Sequence, residues 1–221
     1  MTATLFDFDG VLVDSEPAHL AAFNDVLAPL GAAIDERAYV ERYLSLDDAG
    51  VFRAVLSLGG RAPGDDEVRT LVDAKKPRFM ARFQDAFRVF PGAAELVARR
   101  AARGPVGIVS GALQDEISFA LEKLGVRGAV AFIVSAERSP VSKPDPAPFL
   151  LGLEELRSRG HRGRAVAVED STGGVTSAKR AGLRCVAVTH SYSRDVLLRA
   201  GADVAVGDLA SITDALLEGG G

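Results

Sequence analysis

Residues 4–15, TLFDFDGVLVDS, decide the fold. Thr4-Leu5-Phe6 reads as a strand about to be buried, and that strand ends in two aspartates, Asp7 and Asp9, one residue apart. Charges at the end of a buried strand need a partner, a metal or a chemical task. Alternate strand residues face the same side, so the two carboxylates converge. Gly10 lets the chain turn sharply there and brings backbone N–H groups toward whatever the acids hold.

The pattern of that first strand recurs. Apolar runs at 3–8, 105–110, 130–134, 165–168, 185–189 and 203–206 are continuous rather than alternating, as parallel strands covered on both faces are. Helical patterns near 92–103, 113–124, 146–159, 173–182 and 194–200 lie between them. This rhythm predicts an α/β fold with a doubly wound parallel sheet. One region departs from it. Residues 16–87 carry helical patterns and no convincing strand, opening at Glu16-Pro17, where proline suits a first helical turn and an acid complements the dipole. Phe90-Pro91-Gly92 marks the return to the α/β rhythm. The expected organisation is a core of residues 1–15 and 88–221 with an all-helical cap, residues 16–87, inserted after the first strand.

Bulk composition narrows the class. A length of 221 residues corresponds to about one and a half average domains. An apolar fraction of 48% with 25% charged residues suits a globular protein with a real core. The net charge of -4 gives no nucleic-acid surface. The basic tract 157–164 has no interleaved aromatic residue for base stacking and reads as a solvated helix end and loop. A single cysteine, Cys185, excludes a disulfide framework and, in the run Cys185-Val186-Ala187-Val188, reads as a buried small hydrophobe. A polar DFD within the first residues predicts no secretory leader, and no apolar stretch has the length of a membrane span, so no membrane partner and a cytoplasmic location are expected. Gly219-Gly220-Gly221 reads as a frayed tail.

In open α/β sheets ligands bind beyond the carboxyl ends of the strands. Four polar clusters fall at such ends: Asp7-Phe8-Asp9-Gly10, Ser110-Gly111-Ala112, Ser142-Lys143-Pro144-Asp145-Pro146 and Glu169-Asp170-Ser171. A hydroxyl followed by glycine at a strand-to-helix turn makes a small anion cradle. Prolines flanking Asp145 stiffen the third cluster and hold Lys143 as a fixed cation. Each cluster alone has a plain alternative: Asp170 as a helix cap, Lys143 as a solvated charge. Together they supply a nucleophile, a phosphate cradle, a charge neutraliser and metal ligands, the parts of a phosphoryl-transfer site.

DFDGVLVDS, VSGA, SKPDP and VEDS occur in the order and approximate spacing of the haloacid dehalogenase superfamily, and the chain most resembles its phosphatase and β-phosphoglucomutase branch. The resemblance implies a Rossmann-like core whose central strand carries Asp7, with Asp7 as a nucleophile that forms an aspartyl-phosphate, and Asp9 as general acid and then base. It implies Ser110 and Lys143 as holders of the phosphoryl group. Mg²⁺ would be bound by Asp7, the Asp9 carbonyl and Asp170, with Glu169 assisting; Gly10 and Gly111 would line the substrate. Asp9 also argues against halide-removing relatives, which lack an acid there.

In the cap the resemblance implies substrate contacts from His19, a hinge histidine in mutase-like relatives, from Lys75 or Lys76, and from Arg42. His19 also reads as a polar residue of the first cap helix, and the lysines as a solvated face. Ser45 stands where relatives often have glycine. The expected function is a Mg²⁺-dependent phosphatase acting on a small phosphorylated metabolite, as a monomer with a dimer left open. A β-phosphoglucomutase-like mutase and a retired binding protein are the alternatives.

Overall fold

The computed structural model describes residues 1–44, 46–60 and 62–219; the expectations for Ser45 and for Gly220-Gly221 fall outside them. The chain forms two compact units, one of Ser15–Arg88 and one of Met1–Asp14 with the chain from Val89 onward.

In chain order, β1 (Ala3–Phe6) is followed by the helices of the first unit: α1 (Glu16–Leu27), the short α2 (Glu36–Ala38), α3 (Asp48–Leu58) and α4 (Asp65–Asp85). The other unit then resumes with α5 (Ala93–Ala101), β2 (Val106–Val109), α6 (Gln114–Lys123), β3 (Phe132–Val134), α7 (Ala147–Ser158) and β4 (Ala165–Glu169). It ends with α8 (Thr172–Arg180), β5 (Arg184–Val188), α9 (Arg194–Arg199), β6 (Val204–Val206) and α10 (Asp214–Glu218).

The six strands are parallel in the order β3-β2-β1-β4-β5-β6. The chain builds outward from β1 to β3, crosses back, and builds the other way from β4 to β6. The reversal lies between β1 and β4, where a crevice opens beyond the carboxyl ends. β1 is buried along its whole length, Thr4 included, as a central strand covered on both faces is. The apolar runs continue as an interior of Leu5, Val109, Phe149, Ala167, Val175 and Leu197. Cys185 packs there with its thiol pKa raised by burial, as an inert hydrophobe.

β1 stops at Phe6, short of the expected end at residue 8. Asp7 makes one more ladder bond, its N–H to the Val168 carbonyl at 2.9 Å, before Gly10 turns the chain with φ 73°. The Leu12 and Val13 N–H groups then both return to the Phe8 carbonyl, at 2.9 and 3.2 Å. Arginines 157, 162 and 164 of the basic tract are exposed, and Arg159 pairs with Glu155 at 3.1 Å. Gly219 does not belong to the expected frayed tail, because it closes α10 as its C-cap. α10 itself was not foreseen. Thr213 caps it, and Arg100, fully buried, donates to its Asp214 at 2.8 Å and to Thr4 Oγ1 of β1 at 3.0 Å.

The helical unit has its own core of Phe23, Val26, Leu27, Tyr39, Phe52, Val55 and Leu56. Phe23 meets Phe52 edge-on, with centroids 5.2 Å apart. The Asn24 side chain donates to and accepts from the backbone of Ile34, at 2.9 and 2.8 Å, and so fixes the turn after α1.

Candidate active site

The register of the central strands assembles the site. Phe6 pairs with Ile108 on β2 and Val168 on β4, so Asp7, one residue on, leaves the sheet level with Glu169. Lys143, from the loop after β3, reaches into this row. Its ammonium donates to Asp7 Oδ1 at 2.7 Å, to Glu169 Oε1 at 2.6 Å and to the Val109 carbonyl at 2.9 Å. Three acceptors match the three donors of a lysine. Burial by itself would lower the Lys143 pKa, but the charges and hydrogen bonds of Asp7 and Glu169 outweigh it and raise it, so the cation stays charged.

Glu169 is fully buried and fully occupied. Beyond Lys143, its Oε2 accepts from the Asp170 N–H at 3.1 Å, the Ser171 N–H at 3.4 Å and the Ser171 hydroxyl at 3.2 Å. Gly174 in the first turn of α8 makes room for it: a Cβ there would lie 2.0 Å from Cδ and both carboxylate oxygens. Asp170, also buried, accepts a short hydrogen bond from the Ser191 hydroxyl just beyond β5. Its Oδ2 presses so closely on Gly10 that a Cβ at Gly10 would sit 2.0 Å away. Beside Ser191, His190 Nδ1 bonds the Gly10 carbonyl at 2.8 Å while its ring stacks on Phe90 at 3.7 Å.

Ser110, at the end of β2, is buried and accepts the Ala112 N–H at 3.0 Å, which leaves its own O–H proton to donate. Gly111 beside it is exposed, and among the described residues no atom beyond its chain neighbours lies within 4 Å of where a Cβ would stand, so the space beside Ser110 is open. Asp9 is half-buried and forms an isolated bridge with Val13.

The donor set fits a divalent cation. Carboxylate oxygens of Asp7, Glu169 and Asp170 lie within 4.8 Å of one another, all buried. With all three carboxylates ionised, the Lys143 ammonium, the only cation paired with them among the described residues, leaves two negative charges without a counter-charge. Burial first, and then the Asp7 charge, push the Glu169 pKa up to about 7; burial, Asp7 and Glu169 raise Asp170 well above its ordinary range. A cluster of hard oxygen donors with that charge deficit suits Mg²⁺.

In the helical unit His19 and Lys75 meet each other. Lys75, only 1% exposed, donates to His19 Nδ1 at 2.8 Å and to Asp48 Oδ1 at 2.6 Å, and its ammonium lies 4.1 Å from the Phe23 ring centroid. Lysine only donates, so Nδ1 accepts and the His19 proton sits on Nε2. Burial and the Lys75 charge hold the His19 pKa well below its usual value, which keeps that ring neutral. Lys76 is paired with Asp73 at 2.8 Å, and Arg42 is exposed on the π-helical turn Tyr39–Tyr43. Sequence reasoning did not find Asp48, His190 or Ser191. The only signal for the last two was their place at the end of a predicted strand.

A buried acid cluster at the switch point of a parallel sheet, with a helical unit inserted after the first strand, defines an enzyme of the doubly wound α/β class. The chain belongs to the haloacid dehalogenase-like hydrolase family, whose pattern matches residues 4–188. It is similar to a phosphoglycolate phosphatase of Rhodospirillum rubrum, 34% identical over 96% of this chain and 89% of that one. It is also similar to hexitol phosphatase B of Escherichia coli, 30% identical over 96% of this chain and 94% of that one. Among solved structures, CbbY from Rhodobacter sphaeroides in complex with phosphate superposes with a TM-score of 0.83 at 28% identity, over 99% of both chains.

Proposed function

We propose that the protein is a Mg²⁺-dependent phosphatase that hydrolyses a small phosphate monoester, of the sugar phosphate or phosphoglycolate type, through an aspartyl-phosphate on Asp7. One observation carries this reading: a buried Asp7 carboxylate held by Lys143 beside Glu169 and Asp170 at the end of the central strand. The phosphatases among its relatives support the substrate class.

In the first half-reaction an Asp7 oxygen bonds to phosphorus while the bond from phosphorus to the ester oxygen breaks. Asp9 gives its proton to that leaving oxygen. In the second, Asp9 takes a proton from water, the water oxygen bonds to phosphorus, and the Asp7–phosphorus bond breaks to release inorganic phosphate. The Ser110 hydroxyl donates to a phosphoryl oxygen, and Lys143 stays charged beside it throughout.

The difficulty is anion meeting anion, about 4 kcal/mol per unit-charge pair at 4 Å and an effective dielectric near 20. Mg²⁺, held by Asp7, Asp170 and the Asp9 carbonyl, would supply the positive charge that offsets this repulsion. Glu169, with both oxygens already accepting hydrogen bonds, assists chiefly by fixing Lys143 and the start of α8.

A mutase must grip a second phosphate. Lys75 has its ammonium committed to Asp48 and His19, which favours hydrolysis, with His19 and the exposed Arg42 as the substrate contacts of the helical unit. We propose a cytoplasmic location and a monomer, with a dimer left open. The test is a phosphate-release screen over common phosphometabolites with and without chelator. Chelator-sensitive release is expected; full turnover in metal-free buffer, or glucose 6-phosphate formed from the 1-phosphate without net release, overturns the reading.

A further inference from the structure

From the segment Thr189-His190-Ser191 after β5 we infer that Ser191 and His190 are positioning residues for the divalent-cation site, Ser191 through Asp170 and His190 through the Gly10 backbone. This rests on the reading that Asp170 holds the cation.

Three contacts converge on one short loop. The Ser191 hydroxyl donates to Asp170 Oδ2. The same Oδ2 is backed by Gly10, and the Ser191 oxygen itself would lie 3.0 Å from a Cβ at that glycine. The Asp170 carboxylate is thus gripped between a hydroxyl and a backbone that has no side chain, which fixes its rotation about χ2. An unrestrained aspartate would have to lose that rotational freedom when the ion binds, and the serine removes this freedom in advance.

His190 acts on the other wall. A carbonyl oxygen only accepts, so the His190 Nδ1 carries the proton and donates to Gly10 at 2.8 Å. Its ring is clamped flat against Phe90, with an interplanar angle of 12°, and the Phe90 N–H in turn donates to the Leu12 carbonyl at 3.1 Å. The turn that presents Asp7 and the Asp9 carbonyl is therefore held from outside by one imidazole, and that imidazole by the chain re-entering at residue 90. Both residues lie on the loop after β5, which supplies no group to the phosphoryl chemistry proposed above. They touch its ligands without being ligands.

The test measures Mg²⁺ binding to the chelator-stripped chain by calorimetry, with no substrate present. Ser191→Ala is expected to bind the ion about 10-fold more weakly, the cost usual for removing a partner of a metal ligand. Ser191→Thr, which keeps the hydroxyl, should restore the affinity. His190→Phe keeps the stack and loses the donor, and a weakening of the same size is expected. In turnover assays each weakened variant should recover its rate as Mg²⁺ is raised to saturation, a signature that general unfolding does not give. Melting curves in chelator should superpose for wild type and Ser191→Ala. An affinity of Ser191→Ala within twofold of wild type overturns the inference while leaving the phosphatase reading intact. A wild-type chain that binds no divalent cation overturns the metal reading itself, and the inference with it.

Discussion

The Lys143 ammonium and the Asp7 carboxylate, 136 positions apart in the chain, meet at 2.7 Å. The pair is what makes a buried acid tenable at the end of a strand whose every residue is sealed from solvent. The same lysine ties Glu169 into the row at 2.6 Å, so one side chain sets the spacing of two others.

Replacing it should therefore be felt twice. Lys143→Met is expected to lower turnover by about 10²–10³, the usual effect of deleting one fixed positive donor at a reacting oxyanion. It should also lower the metal-free melting temperature, because two buried carboxylates lose their counter-charge. Phosphate-release kinetics together with thermal melts in chelator check both effects. An unchanged melt would show that the ammonium is not structural.

Asp7→Asn should abolish turnover, since an amide does not form the phosphoryl bond, and a variant working at the wild-type rate would remove Asp7 from the role of nucleophile. Asp9→Asn should lose turnover while still binding vanadate or tungstate, because it lacks only the proton. Loss of analogue binding as well would mean that Asp9 does more than acid–base work.

Gly174→Ala introduces a Cβ 2.0 Å from three atoms of the fully buried Glu169 carboxyl. Neither side can yield, since the glutamate is held by Lys143, by Ser171 and by the Asp170 N–H. A loss of about 2–4 kcal/mol in chemical denaturation is expected, the range for strain forced into a buried network. A loss below about 0.5 kcal/mol would show the carboxyl to be more mobile than its hydrogen bonds imply.

Asp214 gives a prediction in pH. The hydrogen bond from buried Arg100, then the charges of Arg103, Arg100 and Arg99, hold its pKa below its ordinary 3.8 against the opposing effect of desolvation. A depressed carboxylate stabilises the fold above its unfolded pKa, and the contribution disappears as pH falls through the lower, folded value. Wild type should thus lose melting temperature below about pH 4 more steeply than Asp214→Asn, which has no such proton to take up. Parallel melting curves from near neutrality down to about pH 3 would refute the assignment.

Much of this was readable in the chain. The continuous apolar runs revealed the parallel strands because burial on both faces leaves no alternation, and the motifs at the ends of β1 and β4 flank the point where the sheet reverses. The acids at residues 7 and 170 and the lysine at 143 were singled out for that reason, and the structure brings Asp7 and Lys143 into contact. The misses share a different cause. Arg100 sits in the run Arg99-Arg100-Ala101-Ala102-Arg103, which looks solvated, yet it is fully buried because its partners, Thr2, Thr4 and Asp214, come from both ends of the chain. Lys75 gave no sign that Asp48 would take its charge. Ser191, in Thr189-His190-Ser191-Tyr192-Ser193, reads as an ordinary turn hydroxyl, since nothing local shows that an aspartate 21 residues earlier will lie against it. Pairings between distant side chains are set by the sheet's topology, and local periodicity does not encode them.

The groups to which we assign the chemistry stand on the ends of β1, β2 and β4 and on the loop after β3, and no continuous stretch of chain holds more than two of them. A half-formed sheet, however compact or helical, brings no ammonium to the first aspartate. Hydrolysis of a chromogenic phosphate ester during refolding would therefore time the moment at which β1, β2, β4 and the loop after β3 come together, and this chain can serve as its own stopwatch for the assembly of its central strands.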